Sequence, residues 1–431
     1  MRLSDLQHKD VINVIDGSKV GNIIDIKIDS SGNMEGLIVE KSKFFVSMFS
    51  TKNEMEIKWT QIEKIGEDVI LVNVKIWWYN IYEGESMKKI KINMLSMADK
   101  VDGQGVGSAY LEQVELVKSS PKFNVLINSK EKADIVHAHT IEPPNYLKMK
   151  RNKGVNVAYC HFLPETLDGS IKLPKPIFSI FKKYVVSFYK QADYLVVVNP
   201  IFIEDLARHG VKRENIRYIP NYVSKEQFFK KTKKEVKTIR EKYSIDPDKF
   251  VVLGVGQVQT RKGVLDFIEV AKKLPDMEFV WCGGFSFGAI TDGYDELKKV
   301  YENPPKNVKF LGIIPREEMN DMYNMADVLF MPSYNELFPM SILEAVNSEK
   351  PLLLRDLDLY KDILFKKYVS GKNNREFVKE LKRLRDDEKA YKLESKNSKE
   401  INQFYSKENV LKIWEEFYTE IVDSKKEKVE S

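Results

Sequence analysis

The sequence predicts an α/β protein: two doubly wound, Rossmann-like domains with a cleft between them, preceded by a small all-β domain. Three observations carry this. From Ile90 onward, short apolar runs alternate with helical stretches, the order that builds parallel sheets covered by helices. The runs divide into two similar halves after IRYIP, which ends at Pro220. Ahead of Ile90, apolar residues instead recur at every second position between tight turns, the period of half-buried strands.

The opening domain is assigned to residues 1–76. Ile24, Ile26 and Ile28 alternate with Asp25, Lys27 and Asp29, and Met55, Ile57 and Trp59 with Glu56, Lys58 and Thr60. Asp16-Gly17 and Ser31-Gly32-Asn33 supply turns, so a small antiparallel barrel is expected, with no catalytic residue types in it. Residues 77–88 read as a linker; Met87-Lys88-Lys89, leading into a strand, looks like the start of a separate protein joined downstream. Residues 89–225 form the next domain, with strands IKINML, DIVHAH, VNVAYC, YLVVVN and IRYIP. Residues 226–403 form the third, entered through the charged, helical stretch NYVSKEQFFKKTKKEVKTIREKY and holding FVVLGVG, EFVWCGG, VKFLG, DVLFMP and PLLLRD. A helix is expected over 404–422 and a disordered, lysine- and glutamate-rich tail over 423–431.

Composition narrows the function. With 431 residues and 43% hydrophobic side chains, about three domain cores can be filled. The most apolar runs, such as YLVVV, fall short of the roughly 20 residues a membrane span needs, and no signal segment is expected. Two cysteines, Cys160 and Cys282, are too few for a disulfide framework or a four-cysteine zinc site, which points to a reducing cytoplasm. A net charge of +5 permits anionic partners without demanding nucleic acid.

Four stretches carry chemistry. FVVLGVGQVQTRKG ends a strand in glycines and presents Arg261 and Lys262 before a helix, where side-chain charge and the helix N-terminus together suit a phosphate; a solvated pair is the alternative. VDGQGVGSAYLEQV offers Gly103, Gly105 and Gly107 at a helix start. Its spacing is not the GxGxxG dinucleotide fingerprint, which disfavours NAD and leaves a plain turn open. His137, His139, Cys160 and His161 lie at strand ends but match no metal-ligand spacing, and neighbours on a strand point to opposite faces, against a cysteine–histidine pair. His137 and His139 are therefore assigned to the core and His161 to function. In NELFPMSILEAV, Glu336 lies in a loop, Pro339 suits a first helical turn, and Met340, Ile342, Leu343 and Val346 pack inward around Glu344. An unpaired buried carboxylate costs several kcal/mol, so Glu344 needs a hydroxyl-rich ligand, Lys350 or backbone amides. Separately, KLPKPIFSIFKKYVVSFYK, with Lys172, Phe178, Phe181, Lys182 and Lys183, suits an interfacial helix on anionic lipid; core packing of its aromatics is the alternative.

In this order, and with the block GIIPREEMNDMYNMADVLFMPSYNELFPMSILEA, these stretches resemble glycosyltransferase family 4, the retaining nucleotide-sugar transferases of GT-B fold. GQGVGSAYLEQV, AYCHFLPETLDGSIKLP, IPNYVSKEQF and GQVQTRKGV are most similar to bacterial diacylglycerol glucosyltransferases. RLSDLQHKDVINV, KVGNIIDIKID and IEKIGEDVILV resemble a small PRC-barrel of the sporulation-associated type, implying a docking module with an unknown protein partner. The resemblance implies that Glu344 takes the ribose hydroxyls and Glu336 the donor sugar, while Arg261 and Lys262 hold the diphosphate. Gly105 and Gly107 would form the glycine loop, Phe338, Pro339 and Met340 complete the donor side, and His161 lie beside the reacting face of the sugar. Three departures stand out: Gln257 where many members have arginine, Pro339 for the usual glycine, and Tyr222 and Ser224 for the usual glycine and aspartate.

The implied activity is metal-independent transfer of a hexose, expected to be glucose from UDP-glucose, with retention. The implied acceptor is diacylglycerol or glucosyl-diacylglycerol, met peripherally at the anionic inner face of the cell membrane. The UDP-sugar is then a co-substrate, no cofactor is needed, and no nucleic acid is involved. Two alternatives stay open: a family member acting on a cell-envelope or capsule precursor, and a docking scaffold whose transferase domain is inactive.

Overall fold

A computed structural model describes residues 6–14, 19–29, 32, 34–40, 54–66, 68–73, 89–97, 105–161, 163, 175–286, 288 and 291–430. The chain divides into two compact units, Met1–Lys88 and Lys89–Ser431.

The first unit is a six-stranded sheet ordered β4-β3-β2-β1-β6-β5. Its strands are β1 (Asp10–Asn13), β2 (Lys19–Ile28), β3 (Met34–Glu40), β4 (Glu54–Lys58), β5 (Ile62–Ile65) and β6 (Val69–Val72). The antiparallel expectation is corrected at one pairing: β1 and β6 run parallel, which the long intervening chain permits. The isoleucine alternation is corrected too. The register passes from Ile23↔Val39 to Asp25↔Ile38, a bulge at Ile24 that changes which face each later side chain takes. Ile23 rather than Ile24 is therefore buried with Val11, Leu37, Val39, Ile57, Ile70 and Val72; Ile26 packs against this core as expected, and Ile28, beyond a second irregularity after Lys27, stands 63% exposed.

The second unit holds two six-stranded, all-parallel sheets. The first contains β7 (Ile90–Leu95), α1 (Gly105–Lys118), β8 (Phe123–Ile127), β9 (Ile135–Ala138), α2 (Pro143–Arg151), β10 (Val155–Cys160), α3 (Lys175–Lys190), β11 (Tyr194–Val197), α4 (Phe202–Arg208) and β12 (Ile216–Tyr218). Its order is β12-β11-β10-β9-β7-β8. The second begins with α5 (Lys233–Lys242), β13 (Val251–Val255), α6 (Val264–Lys272), β14 (Glu278–Cys282), α7 (Tyr294–Glu302), β15 (Val308–Gly312) and α8 (Arg316–Met325). It continues with β16 (Val328–Met331), α9 (Met340–Asn347), β17 (Leu352–Arg355), α10 (Leu359–Ile363), β18 (Val369–Gly371), α11 (Asn374–Asp386), α12 (Glu388–Phe404) and α13 (Lys407–Glu430). Its order is β15-β14-β13-β16-β17-β18. Central strands such as β10 and β16 are buried along their whole length, as strands covered on both faces must be.

Four segments depart from the sequence reading. Strands β8 and β18 go unanticipated because they are short outer strands, and β8 is only partly buried. The long helix expected from Asn221 shrinks to α5, because Thr232 caps it, accepting from the Glu235 amide while the Glu235 carboxylate takes the Thr232 amide. Residues expected to form a disordered tail after 422 continue α13 to Glu430; lysine and glutamate are good helix formers, and Lys426 pairs with Asp423 one turn back. That helix returns to the first sheet. Trp414, Phe417, Tyr418 and Ile421 are buried in the same core as Val114, Phe123 and Tyr159.

The strand orders mark two candidate ligand positions. In each sheet the order reverses beside its first strand, between β7 and β9 and between β13 and β16, and open parallel sheets bind ligands outside the carboxyl ends at such points. The loops leaving β13 and β16 carry Arg261, Lys262 and Glu336.

Candidate active site

After β13 the chain makes a single 3-10 turn, Thr260–Lys262, ended by Gly263 in the left-handed conformation at φ 70°. Only glycine fits there, because a Cβ would run into the Pro332 carbonyl at the end of β16. This contact seats the cationic turn against the loop that carries Glu336. The Tyr334 amide donates to the Arg261 carbonyl at 2.8 Å and Arg261 Nη1 to the Asn335 carbonyl at 3.2 Å, closing the two loops on each other.

Lys262 Nζ lies 2.5 Å from Glu336 Oε1, and Arg261 Nη1 3.8 Å from Oε2. Both Lys262 and Glu336 are buried. Burial works to raise the Glu336 pKa, but Lys262, then Arg261 and the Ser333 hydroxyl, hold it below the usual carboxylate value, so Glu336 is ionised. Two cations facing one carboxylate leave a net positive charge at this switch point. A diphosphate could share it, its own loss of hydration offset by charge-assisted hydrogen bonds to both cations.

Helix α9 starts at Met340, with Pro339 as its N-cap at φ −69° and Phe338 and Met340 buried beside it. Glu344, one turn in, is 5% exposed and has a protein partner on each oxygen. It accepts from Arg316 Nη1 at 2.9 Å on Oε1 and from the Tyr323 hydroxyl at 2.5 Å on Oε2. The partner is neither Lys350 nor a backbone amide; Lys350 Nζ points instead to the Asn324 carbonyl at 3.2 Å. Arg316 Nη2 also donates to Glu112 of α1 at 2.5 Å, so Glu344 faces the first Rossmann domain. Each carboxylate oxygen retains a lone pair for a ligand hydroxyl.

On the opposite side, Gly105 and Gly107 occupy the first turn of α1 rather than a loop, and α1 packs against α9. His161 follows β10. Its ring stacks on Tyr159 at 4.3 Å, and its Nε2 lies 3.5 Å from His139 Nδ1, long for a hydrogen bond. Burial pushes His161 to about 3 and His137 to about 3, and takes His139 well below its ordinary value, so all three rings are neutral. His137 Nδ1 sits 2.7 Å from the Tyr418 hydroxyl, fixing the core role expected for it. Cys160 is buried on the other face of the strand, in a separate cluster. Among the described residues, no three His, Cys, Asp or Glu side chains converge as a metal site.

Two buried asparagines join the halves. Asn199 Nδ2 donates to the carbonyls of Leu337 at 3.3 Å and Leu359 at 2.8 Å, and Asn221 Nδ2 to that of Phe338 at 3.3 Å. The Tyr159 hydroxyl donates to Asn221 Oδ1 at 3.2 Å. Asn199, Asn221, Glu112, Arg316 and Tyr323 were not singled out from sequence. Asn199 and Asn221 do stand just beyond strand ends, the one signal that could have flagged them.

On α3, Phe181, Tyr184, Val185 and Phe188 pack on the domain core, so the aromatics are structural in large part. Phe178 is half-buried under Lys182, whose Nζ lies 4.8 Å from its ring centre, and Lys183 is exposed. The outward apolar side chains are Ile177 and Ile180, at 54% and 68% exposure. Lys172 lies outside the described residues. No helix among the described residues is long and apolar enough to cross a membrane.

Residues 235–401 match the family Glycosyl transferases group 1, residues 116–227 match Glycosyltransferase Family 4, and residues 1–75 match the PRC-barrel domain. The chain is 46% identical over 335 residues to alpha-galactosylglucosyldiacylglycerol synthase of Streptococcus pneumoniae, covering 77% of this chain and 90% of that protein. It is 28% identical over 327 residues to the processive diacylglycerol alpha-glucosyltransferase of Acholeplasma laidlawii, covering 75% and 95%. A 73-residue stretch is 41% identical to the probable sporulation protein YlmC of Bacillus subtilis, covering 17% of this chain and 90% of that protein. Among solved structures, Anabaena HepE in complex with UDP and glucose superposes with a TM-score of 0.62 at 14% identity, covering 77% and 99%. The sucrose-phosphate synthase of Thermosynechococcus elongatus superposes at 0.64 with 16% identity, covering 78% and 100%. These two likenesses establish the GT-B architecture.

Proposed function

Since the chain belongs to glycosyltransferase family 4, with a PRC-barrel domain over residues 1–75, we propose that it moves a hexose from a nucleotide-diphosphate sugar to a diacylglycerol-based lipid, with retention. The observation that carries this is the Arg261–Lys262–Glu336 cluster at the β13/β16 switch point, where two basic side chains face one buried carboxylate. As the bond between the anomeric carbon and its oxygen breaks, negative charge grows on the leaving diphosphate, and fixed cations meet it without reorganisation. The acceptor hydroxyl attacks from the side the diphosphate leaves, its proton passing to that phosphate. Neutral His161 offers a lone pair, not a charge, toward the electron-poor sugar. Glu336 orients the sugar hydroxyls, Glu344 those of the ribose, and the two cations take the role a metal would otherwise have.

The acceptor is glucosyl-diacylglycerol or diacylglycerol. The name of the S. pneumoniae relative describes a second sugar on a glucosyl lipid, which favours the former and makes galactose a second donor candidate beside glucose. Exposed Ile177, Ile180 and Lys183, with Lys182 beside them, support α3 as the edge that meets anionic lipid on the inner face of the membrane. Radiolabelled UDP-glucose and UDP-galactose, each incubated with diacylglycerol and with glucosyl-diacylglycerol and followed by lipid chromatography, test the assignment. One labelled glycolipid, with an α-anomeric product by NMR and turnover maintained in EDTA, is expected. No labelled lipid in any of the four mixtures, or turnover that needs a divalent ion, would reject it.

A further inference from the structure

We propose that Arg316 is a positioning residue that ties the orientation of Glu344 to the closed arrangement of the two Rossmann domains. The proposal rests on the reading of Glu344 as the ribose-binding carboxylate. Arg316 opens α8 and reaches three places at once. One arm of its guanidinium meets Glu344 Oε1 at 2.9 Å; the other meets Glu112 Oε1, on α1 of the first domain, at 2.5 Å. Its plane lies over the ring of Phe228, 5.0 Å from the centre, in the segment that connects the domains.

Glu112 is tied to the same connection, since its second oxygen accepts the Ser224 amide at 3.0 Å. Phe228 in turn meets Tyr323 edge-on at 5.9 Å, and Tyr323 holds the other oxygen of Glu344. Asn347, at the end of α9, donates to the Val223 carbonyl at 3.1 Å. The donor-side helix, the first domain and the connecting segment thus meet at one cation.

Both carboxylates are buried, so separating the domains would strip Glu112 of its counter-charge unless water replaced it. A rigid planar fork suits this bridge because its two arms address two carboxylates in fixed directions, which an ammonium cannot do. Glu344 oriented by Arg316 and Tyr323 is pre-set for a ribose. A ribose held by Glu344 in turn favours the position of Arg316 that reaches Glu112, so binding on one domain reports to the other.

The test measures UDP binding by calorimetry and steady-state kinetics for the full chain and for Glu112→Gln, Arg316→Gln and the double variant. The Glu112 oxygens are engaged by Arg316 and the Ser224 amide, yet Glu112→Gln is expected to weaken UDP at least fivefold and to raise donor KM while acceptor KM stays within twofold. In the Arg316→Gln background the same change adds less than twofold. Arg316→Lys, which keeps the charge without the fork, is expected to behave as Glu112→Gln and serves if that variant does not fold. A Glu112→Gln protein that binds UDP like the parent, or losses that multiply in the double variant, overturns the coupling alone. A parent chain that binds no UDP overturns the donor-site reading and the coupling with it.

Discussion

The two Rossmann domains present opposite chemistry at their strand ends. In the first, His137, His139, Tyr159 and His161 pack as neutral rings at the ends of β9 and β10, and among the described residues the Nε2 atoms of His137 and His139 are buried without a partner. In the second, Arg261 and Lys262 pair with Glu336, and Arg316 pairs with Glu344 and Glu112. The same burial neutralises a histidine and leaves an ion pair charged, because only the pair has a counter-charge within hydrogen-bond reach. One wall of the crevice is therefore suited to hydroxyls and apolar surface, the other to phosphate.

The largest effect should come from removing charge on the second wall. Lys262→Ala is expected to cost about 3 kcal/mol of barrier, roughly a hundredfold or more in kcat with UDP-hexose. A variant within tenfold of the parent would erase the distinction between the walls.

Next comes the pH dependence of the first wall. His137 and His161 titrate near 3 when folded, against 6.5 unfolded, so the unfolded chain takes up protons first as pH falls. Their contribution is fully present above 6.5 and is lost as pH drops toward 3, at up to about 1.4 kcal/mol per pH unit for each ring. Glu336, lowered from 4.5, contributes above that value and loses its contribution only as pH falls through its lower folded value. Urea midpoints at pH 7, 6 and 5 should therefore already decline, through the histidines. A flat profile over that range would place the rings in water.

The smallest effect lies outside the crevice. Lys182→Ala and Lys183→Ala should each weaken flotation on anionic vesicles about fivefold, near 1 kcal/mol per lysine, and leave neutral vesicles unaffected. Equal losses on both lipids would assign α3 to packing.

Legibility in the sequence followed distance along the chain. Arg261 and Lys262, and Glu336 with Glu344, each sit in one short stretch behind an apolar strand, where local pattern reveals both the element and its exposed end. The partner of Glu344 was hidden because Arg316 lies 28 residues away and Glu112, the far arm of the bridge, 204 from Arg316. Ile24 and Ile28 misled for another reason. A bulge adds a residue to one strand of a pair, and alternation read along a single strand cannot register it. Phe181 and Phe188 turned inward although their spacing equally suits a membrane face, since helical periodicity marks an apolar stripe without saying what covers it.

The amino-acid order by itself determined the alternation of strands and helices, the division into a β domain and two parallel-sheet domains, and the cationic and acidic loops at the strand ends. These follow from period, turn chemistry and charge over a few residues. Which carboxylate meets which cation, which histidines lose their protons, and how α13 returns to the first sheet were decided only in three dimensions. Desolvation and ion pairing depend on groups far apart in the chain, and no local pattern encodes how closely folding brings them.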